Sequence, residues 1–233
     1  MNLLELCNLV RYECGLATSD LTTVQGTLSQ ESQNIKSWVI REWWRVQAQR
    51  PDWQFMRSTA EFTATANQQM YTPAQVGAAA TPSFTAEQFS DWIRPSFRFY
   101  SDVTYADEML AAFMDWNTFR NVYAYGNMRN NASRPVAFTV APDKSLGLGM
   151  KPDAAWKVVF EYYKKPVLLS ADADVPSMPS QFHDLIAYRA LKRYGVFMSA
   201  PEVISSAQEE IDQIWPRLLA DQLPMVTSGP PLA

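Results

Sequence analysis

One histidine and two cysteines are the chain's whole supply of imidazole and thiol ligands, and charged residues make up only 19% of its 233 positions. A single imidazole and two thiols cannot assemble a zinc site of the usual ligand number and spacing. Cys7 and Cys14, placed on one helix, stand roughly 10 Å apart along its axis, too far for a disulfide. Both are predicted to be free thiols that serve as small apolar fillers in a reducing compartment. No apolar run approaches the roughly 18–20 residues that a transmembrane helix needs. The opening "MNLLELCNLVRYECG" has neither the basic start nor the apolar stretch of a signal peptide, so a soluble, unexported protein is expected. The formal net charge is −4. That argues against a chain whose main task is to grip nucleic acid.

Hydrophobic residues make up 47%, with eight tryptophans, ten tyrosines and twelve phenylalanines. So many rings point either to an aromatic-rich core or to contact surfaces between proteins, where aromatics bury much area at low entropic cost.

The first segment predicts a helix capped by Asn2, with Glu5 as its reciprocal partner and Gly15 as its end. Leu3, Leu6, Cys7, Val10 and Cys14 fall on one stripe. After a polar loop, a second helix spans about 31–49, with Ile35, Trp38, Val39, Glu42 and Val46 at helical spacing. Pro51 in "QRPDW" stops it. The middle changes character. "RSTAEFTATANQQMYTP" alternates like a half-exposed strand pair, "AQVGAAATPSFTAEQFS" looks like a small-residue loop, and "DWIRPSFRFYS" is extended. In that last stretch Trp92, Phe97 and Phe99 are predicted to be buried, and Pro95 marks an edge or a bulge. "MDWNTFRNVYAYG" predicts a short helix with Asp115 as its cap and Trp116, Phe119, Val122 and Tyr123 as its apolar face. Three strands follow, with "APDKS" and "KPDAA" as turns of the kind that link antiparallel neighbours. Helices return at about Ser180–Tyr194 and Pro201–Asp221, joined by "GVFMSAP", with Pro216 expected to kink the second or start a fresh turn.

Helices at both ends and strands between them argue an α+β fold. The expected organisation is a helical bundle from residues 1–55 and 169–222, a β-rich antiparallel insertion over 56–168, and an extended tail over 223–233.

Catalytic candidates are few. His183 and Asp184 are adjacent, and adjacent helical side chains diverge by about 100°, so they cannot pair as base and orienter. Ser180 is expected to cap that helix, with His183 and Asp184 in its first turn. Gly147 and Gly149 in "LGLGMKP" lack the third glycine and the following helix of a dinucleotide loop; close approach or a bulge is expected instead. Glu209 with Glu210, and Asp172 with Asp174, are sequence neighbours, unlike the facing carboxylates of a glycosidase. No catalytic, cofactor or metal residue is therefore assigned. Two features look outward. Arg189, Lys192 and Arg193 form a basic strip that suits phosphates or an acidic partner surface. The segment from Leu223 on has no charge and three prolines, and it offers Leu223, Met225, Val226 and Leu232 for extended binding.

Three stretches carry a resemblance: "LLELCNLVRYECG", "WVIREWWRVQAQRPDWQFMR" and the long passage from Arg134 to Tyr194. They resemble the head-to-tail adaptor (connector) proteins of tailed bacteriophages, over nearly the whole chain. The resemblance implies a non-enzymatic structural protein of the virion neck, assembled in the host cytoplasm without a cofactor. It implies a homo-oligomeric ring, commonly of twelve, between the portal protein and a downstream tail or nozzle protein. Genomic DNA would pass through its channel without specific binding, and no membrane is involved. On that reading Leu223, Met225, Val226, Leu232, Arg189, Lys192 and Arg193 are the portal-binding candidates. Two other functions compete: a tail-associated cell-wall glycan hydrolase, and a DNA-binding module centred on the basic strip.

Overall fold

A computed structural model of the chain describes residues 1–16, 19–101 and 104–223. In chain order its elements are helices α1 (Leu3–Glu13) and α2 (Gln30–Ala48), strands β1 (Arg57–Ala64) and β2 (Met70–Tyr71), helix α3 (Pro73–Ala79), and strands β3 (Ala80–Thr81), β4 (Phe89–Ser101), β5 (Thr104–Leu110) and β6 (Ala112–Phe113). Helix α4 (Trp116–Phe119), strands β7 (Ala137–Val140), β8 (Leu146–Gly149) and β9 (Trp156–Lys164), and helices α5 (Asp184–Met198) and α6 (Pro201–Gln222) complete it. The fold is α+β, with helices at the ends and a largely antiparallel β region between them. The chain divides into two compact units: Met1–Met56 with the chain from Pro166 onward, and Arg57–Lys165.

The helical unit begins with the capping box that its sequence predicts. Glu5 N–H donates to Asn2 Oδ1 at 2.8 Å and Asn2 N–H to Glu5 Oε2 at 2.9 Å, so two otherwise unpaired amides are satisfied. Gly15, at φ +67°, turns the chain out of α1 as only glycine does without strain. Leu3, Leu6, Cys7 and Val10 are completely buried. They pack with Ile35, Val39, Trp43 and Val46 of α2 and Leu185, Ile186 and Ala190 of α5. Each such aliphatic side chain stabilises the unit by about 1.5–3 kcal/mol relative to exposure. Trp53 closes the cluster, its Nε1–H donating to Val46 O at 2.9 Å.

Two expectations for the C-terminal helices need correction. Ser180 does not cap α5; it lies in a 3₁₀ turn (Ser180–Phe182) that leads into the helix, and no side chain caps the N-terminus. Helix α5 does not end at Tyr194 but runs to Met198, where Ser199 takes the left-handed conformation at φ 55°. Gly195 is a contact point rather than a stop: a Cβ there would lie 2.9 Å from Ile204 Cγ1 and 3.2 Å from Ile204 N, so its absence lets α6 approach α5. Pro216 sits inside α6 without ending it.

The β unit holds two sheets, in the orders β3-β1-β9-β4-β5 and β2-β8-β7-β6. Every ladder is antiparallel except the two-residue pairing of β6 with β7. Pro95 lies at a bulge in a central strand: between the pairs Ile93↔Glu161 and Arg98↔Val159, residues 94–97 stand opposite Phe160 alone. Ser96 repairs the interrupted ladder, its Oγ accepting from Glu161 N–H at 2.8 Å and donating to Ile93 O at 2.6 Å. The bulge thus costs no unpaired amide at Glu161. Trp92, Phe97, Phe99, Phe138 and Phe160 fill the core. Phe97 stacks on Phe138 at 4.2 Å and on Phe160 at 5.7 Å, which joins the two sheets.

Here too local pattern misplaces some elements. β1 and β2 do not pair with each other but lie in different sheets. The small-residue loop contains α3, with a second capping box between Thr72 and Gln75 and Pro73 at its start. "APDKS" closes the β7–β8 hairpin, whereas "KPDAA" carries the chain from β8 in one sheet to β9 in the other. α4 is a single α-turn capped by Asp115 that widens into a π-turn over Arg120–Ala124. That widening breaks the 3.6-residue spacing, so Phe119 is fully buried while Val122 is exposed.

Candidate docking surfaces

The basic strip lies on α5, where positions 189, 192 and 193 share one face. Facing it is Glu42 of α2, a carboxylate at a position within the helix's apolar stripe, only 4% exposed. Three guanidinium groups converge on it. Arg45 Nη1 lies 2.5 Å and Arg193 Nε 3.1 Å from Oε1, and Arg189 Nε lies 3.3 Å from Oε2. Arg189 also donates to Gln49 Oε1 at 3.2 Å and lies over the Trp215 ring. Lys192 Nζ donates to Gln208 Oε1 at 2.6 Å. A buried carboxylate needs such partners, because leaving its charge uncompensated in the interior is costly. The strip is therefore not a plain solvated face: two of its three cations hold α5 to α2. Beside them opens a groove of about 480 Å³ between α2, α5 and α6, floored by Glu42 and flanked by Ile211 and Trp215. Glu42 is the residue whose importance local pattern hides. Its only signal is an acidic side chain in an otherwise apolar stripe.

Leu223, first of the apolar candidates, packs against the helical core. Its N–H donates to Leu219 O at 3.1 Å and its carbonyl accepts from Gln54 Nε2 at 3.4 Å. Met225, Val226 and Leu232 lie outside the described residues.

His183 is buried, with 1% exposure. A carbonyl can only accept, so Nε2–H donates to Met178 O at 2.8 Å and Nδ1 is left to accept from the Met1 ammonium at 2.7 Å. Burial, aided by the adjacent ammonium, holds the imidazole pKa below its ordinary value. Neither ring nitrogen is open to a substrate. His183 is a clasp between the chain's first residue and the segment that enters α5. Asp172 accepts from Thr23 Oγ1 at 2.5 Å and Val24 N–H at 3.0 Å, which holds its carboxyl below the usual range, Thr23 contributing most. Asp174 is likewise lowered, by the amides of Ala171 and Ser170. Both are loop-fasteners.

Gly147 and Gly149 sit in β8 in regular register with β7. A Cβ at Gly147 would come within 2.8 Å of Thr139 Cγ2 and 3.1 Å of Phe119 Cζ, so the glycines serve close approach, not phosphate binding. Burial pushes the Cys7 and Cys14 thiols up to about 12, which leaves them protonated and inert at neutral pH. Among the described residues, no group of three or more His, Cys, Asp or Glu could hold a metal ion, and no helix is long and apolar enough to cross a membrane.

What stands out is docking geometry: helical faces, a charged groove and inert titratable groups. Comparison with known families decides what kind of docking. The family model described as SU10 adaptor protein matches residues 1–228. The chain belongs to the SU10 adaptor family. It is thus a head-to-tail adaptor, or connector, of tailed phages: a structural virion protein and not an enzyme. No curated protein matches the chain significantly.

Proposed function

We propose that this SU10-family adaptor forms a closed ring of twelve identical copies in the virion neck. In that position it joins the portal protein to a downstream tail or nozzle protein and extends the channel through which genomic DNA passes. The observation that carries the reading is the family match over residues 1–228. A heterologous interface repeated around an axis closes into a ring. Exposed apolar side chains on the helical unit, among them Trp44, Phe197 and Met198, offer surface for such contacts. A net charge of −4 suits a channel wall along which DNA slides without being held.

For the portal contact we assign the uncharged segment that includes Met225, Val226 and Leu232, continuing from Leu223, together with the strip of Arg189, Lys192 and Arg193. Each copy of such a segment binds weakly, but many on one ring bind tightly through effective concentration. The test is co-sedimentation of the adaptor with its cognate portal, using the full chain and a form that ends at Leu223. The reading expects the full chain to load and the shortened form to lose most of its binding. Equal loading of both forms would remove the segment from the contact, and no loading of either would remove the portal as partner.

A further inference from the structure

We infer that the groove between α2, α5 and α6 receives an aspartate or glutamate side chain of a partner protein. In this arrangement the carboxylate sits on the outer edges of Arg189 and Arg193, and an apolar neighbour lies against Ile211 and Trp215. The inference deepens the proposed portal-facing role of the basic strip and rests on it only for the partner's identity.

Glu42 does not use up the guanidinium groups around it. Each guanidinium carries five N–H donors. Arg193 reaches Glu42 through Nε, and among the described residues its Nη groups have no other acceptor. Arg189 spends Nε on Glu42 and Nη1 on Gln49, which leaves Nη2. Both side chains are held in place from behind, Arg189 also by the Trp215 ring at 5.5 Å. Unspent donors on an anchored fork are preorganised for a planar two-oxygen acceptor. The groove lining carries three cations, Arg189, Lys192 and Arg193, against two carboxylates, Glu42 and Asp212. It is thus locally positive in a chain of net charge −4.

The same features favour a protein carboxylate over a run of phosphates. Asp212 and Glu42 would repel a polyanion, whereas a single carboxylate can seat between them. Val196, Ile211 and Trp215 supply apolar wall, which a side chain neighbouring an acidic residue fills and a sugar–phosphate backbone does not.

The groove is tested on the adaptor alone, without portal, so that its failure is separate from failure of the portal contact. A blocked five-residue peptide alternating leucine with glutamate is titrated into the full chain while the Nε–H resonances of Arg189 and Arg193 are followed by NMR. The inference expects saturable shifts of both, and binding weaker by about tenfold or more for the glutamine counterpart. Arg193→Gln weakens the glutamate peptide severalfold, and Arg193→Lys less so. Arg217→Gln, the same charge change on an exposed position of α6 outside the groove, leaves it unchanged. Thermal melts check that each variant is folded. Equal binding of the two peptides would overturn the inference. So would no saturable shift at millimolar peptide, an equal loss in Arg217→Gln, or displacement of the peptide by a duplex oligonucleotide at physiological salt.

Discussion

Among the described residues, the β unit seals from water the polar Thr139 and Ser145, whereas the helical unit seals in Ser32, Glu42, Gln47, His183 and Gln222. The difference follows from how each unit joins parts that are distant in sequence. Strands bond to one another through the backbone, so β1, β9 and β4 fix their own register. Helices spend most of their backbone groups internally, so apart from the bonds of Leu3 N–H to Asp174 O and Leu4 N–H to Asp172 O, the unit's N-terminal and C-terminal halves are keyed together by side chains. Four of the five buried polar residues do this, while Ser32 bonds Ser29 at the start of α2. Gln47 Nε2 donates to Val167 O and its Oε1 accepts from Val167 N–H. Gln222 Oε1 accepts from Phe55 N–H, His183 takes the Met1 amine, and Glu42 takes Arg189 and Arg193. The aromatics divide in a related way. Most phenylalanines are core of the β unit, while exposed rings occur in both units: Trp44 and Phe197 in the helical unit, Tyr105, Phe113 and Tyr125 in the β unit.

The largest effect that would sharpen this comparison lies in the β unit. Phe160 packs against the rings of Phe62, Phe84, Trp92, Phe97 and Tyr162, and Phe160→Ala should cost about 3–5 kcal/mol, read as a lowered denaturant midpoint with faster amide exchange in β9. A loss under about 1 kcal/mol would mean that this core collapses freely around the gap. Next comes Glu42→Ala, expected to cost about 1–3 kcal/mol. It removes a carboxylate shared by three arginines, but those arginines are part-exposed and can recover water. Thr139→Val should move the other way. The Thr139 hydroxyl is buried without a partner, so an apolar isostere is stabilising by up to about 1 kcal/mol. A stabilising Glu42→Ala, or a destabilising Thr139→Val, would break the contrast between keyed and unkeyed polar groups.

The smallest effect is a pH slope. His183 is held neutral in the folded protein, its pKa below the unfolded value of about 6.5. The unfolded state therefore binds more protons in that window, and the clasp's stability is fully present above about pH 6.5 and is lost as pH falls toward the folded value. His183→Gln, melted across the same range, should lack that part of the slope. An unchanged slope would assign the proton uptake elsewhere.

Much of this was legible wherever the cause is local. The Asn2–Glu5 capping box, the Asp115 cap, the Pro95 bulge and the "APDKS" hairpin each follow from a few neighbouring residues. What was not legible depends on partners far along the chain. Glu42 and Arg193 are separated by 151 residues, so nothing in a helical window shows that they meet. Gly195 looks like a helix end until Ile204 is seen against it. β5 hides because its acidic "TYADEML" pattern is that of an edge strand, paired on one side only. The π-turn after α4 hides because spacing arguments assume 3.6 residues per turn. The groove between α2, α5 and α6 was not legible either, because its walls come from distant parts of the chain.

The central claim is that this chain is a ring-forming adaptor, and native mass spectrometry of the full-length protein mixed with its cognate portal tests it most directly. The account predicts a complex in which twelve adaptor copies load onto each portal, with no sub-stoichiometric species persisting at excess adaptor. A mixture in which the two proteins remain separate, or a complex of variable stoichiometry, would contradict it.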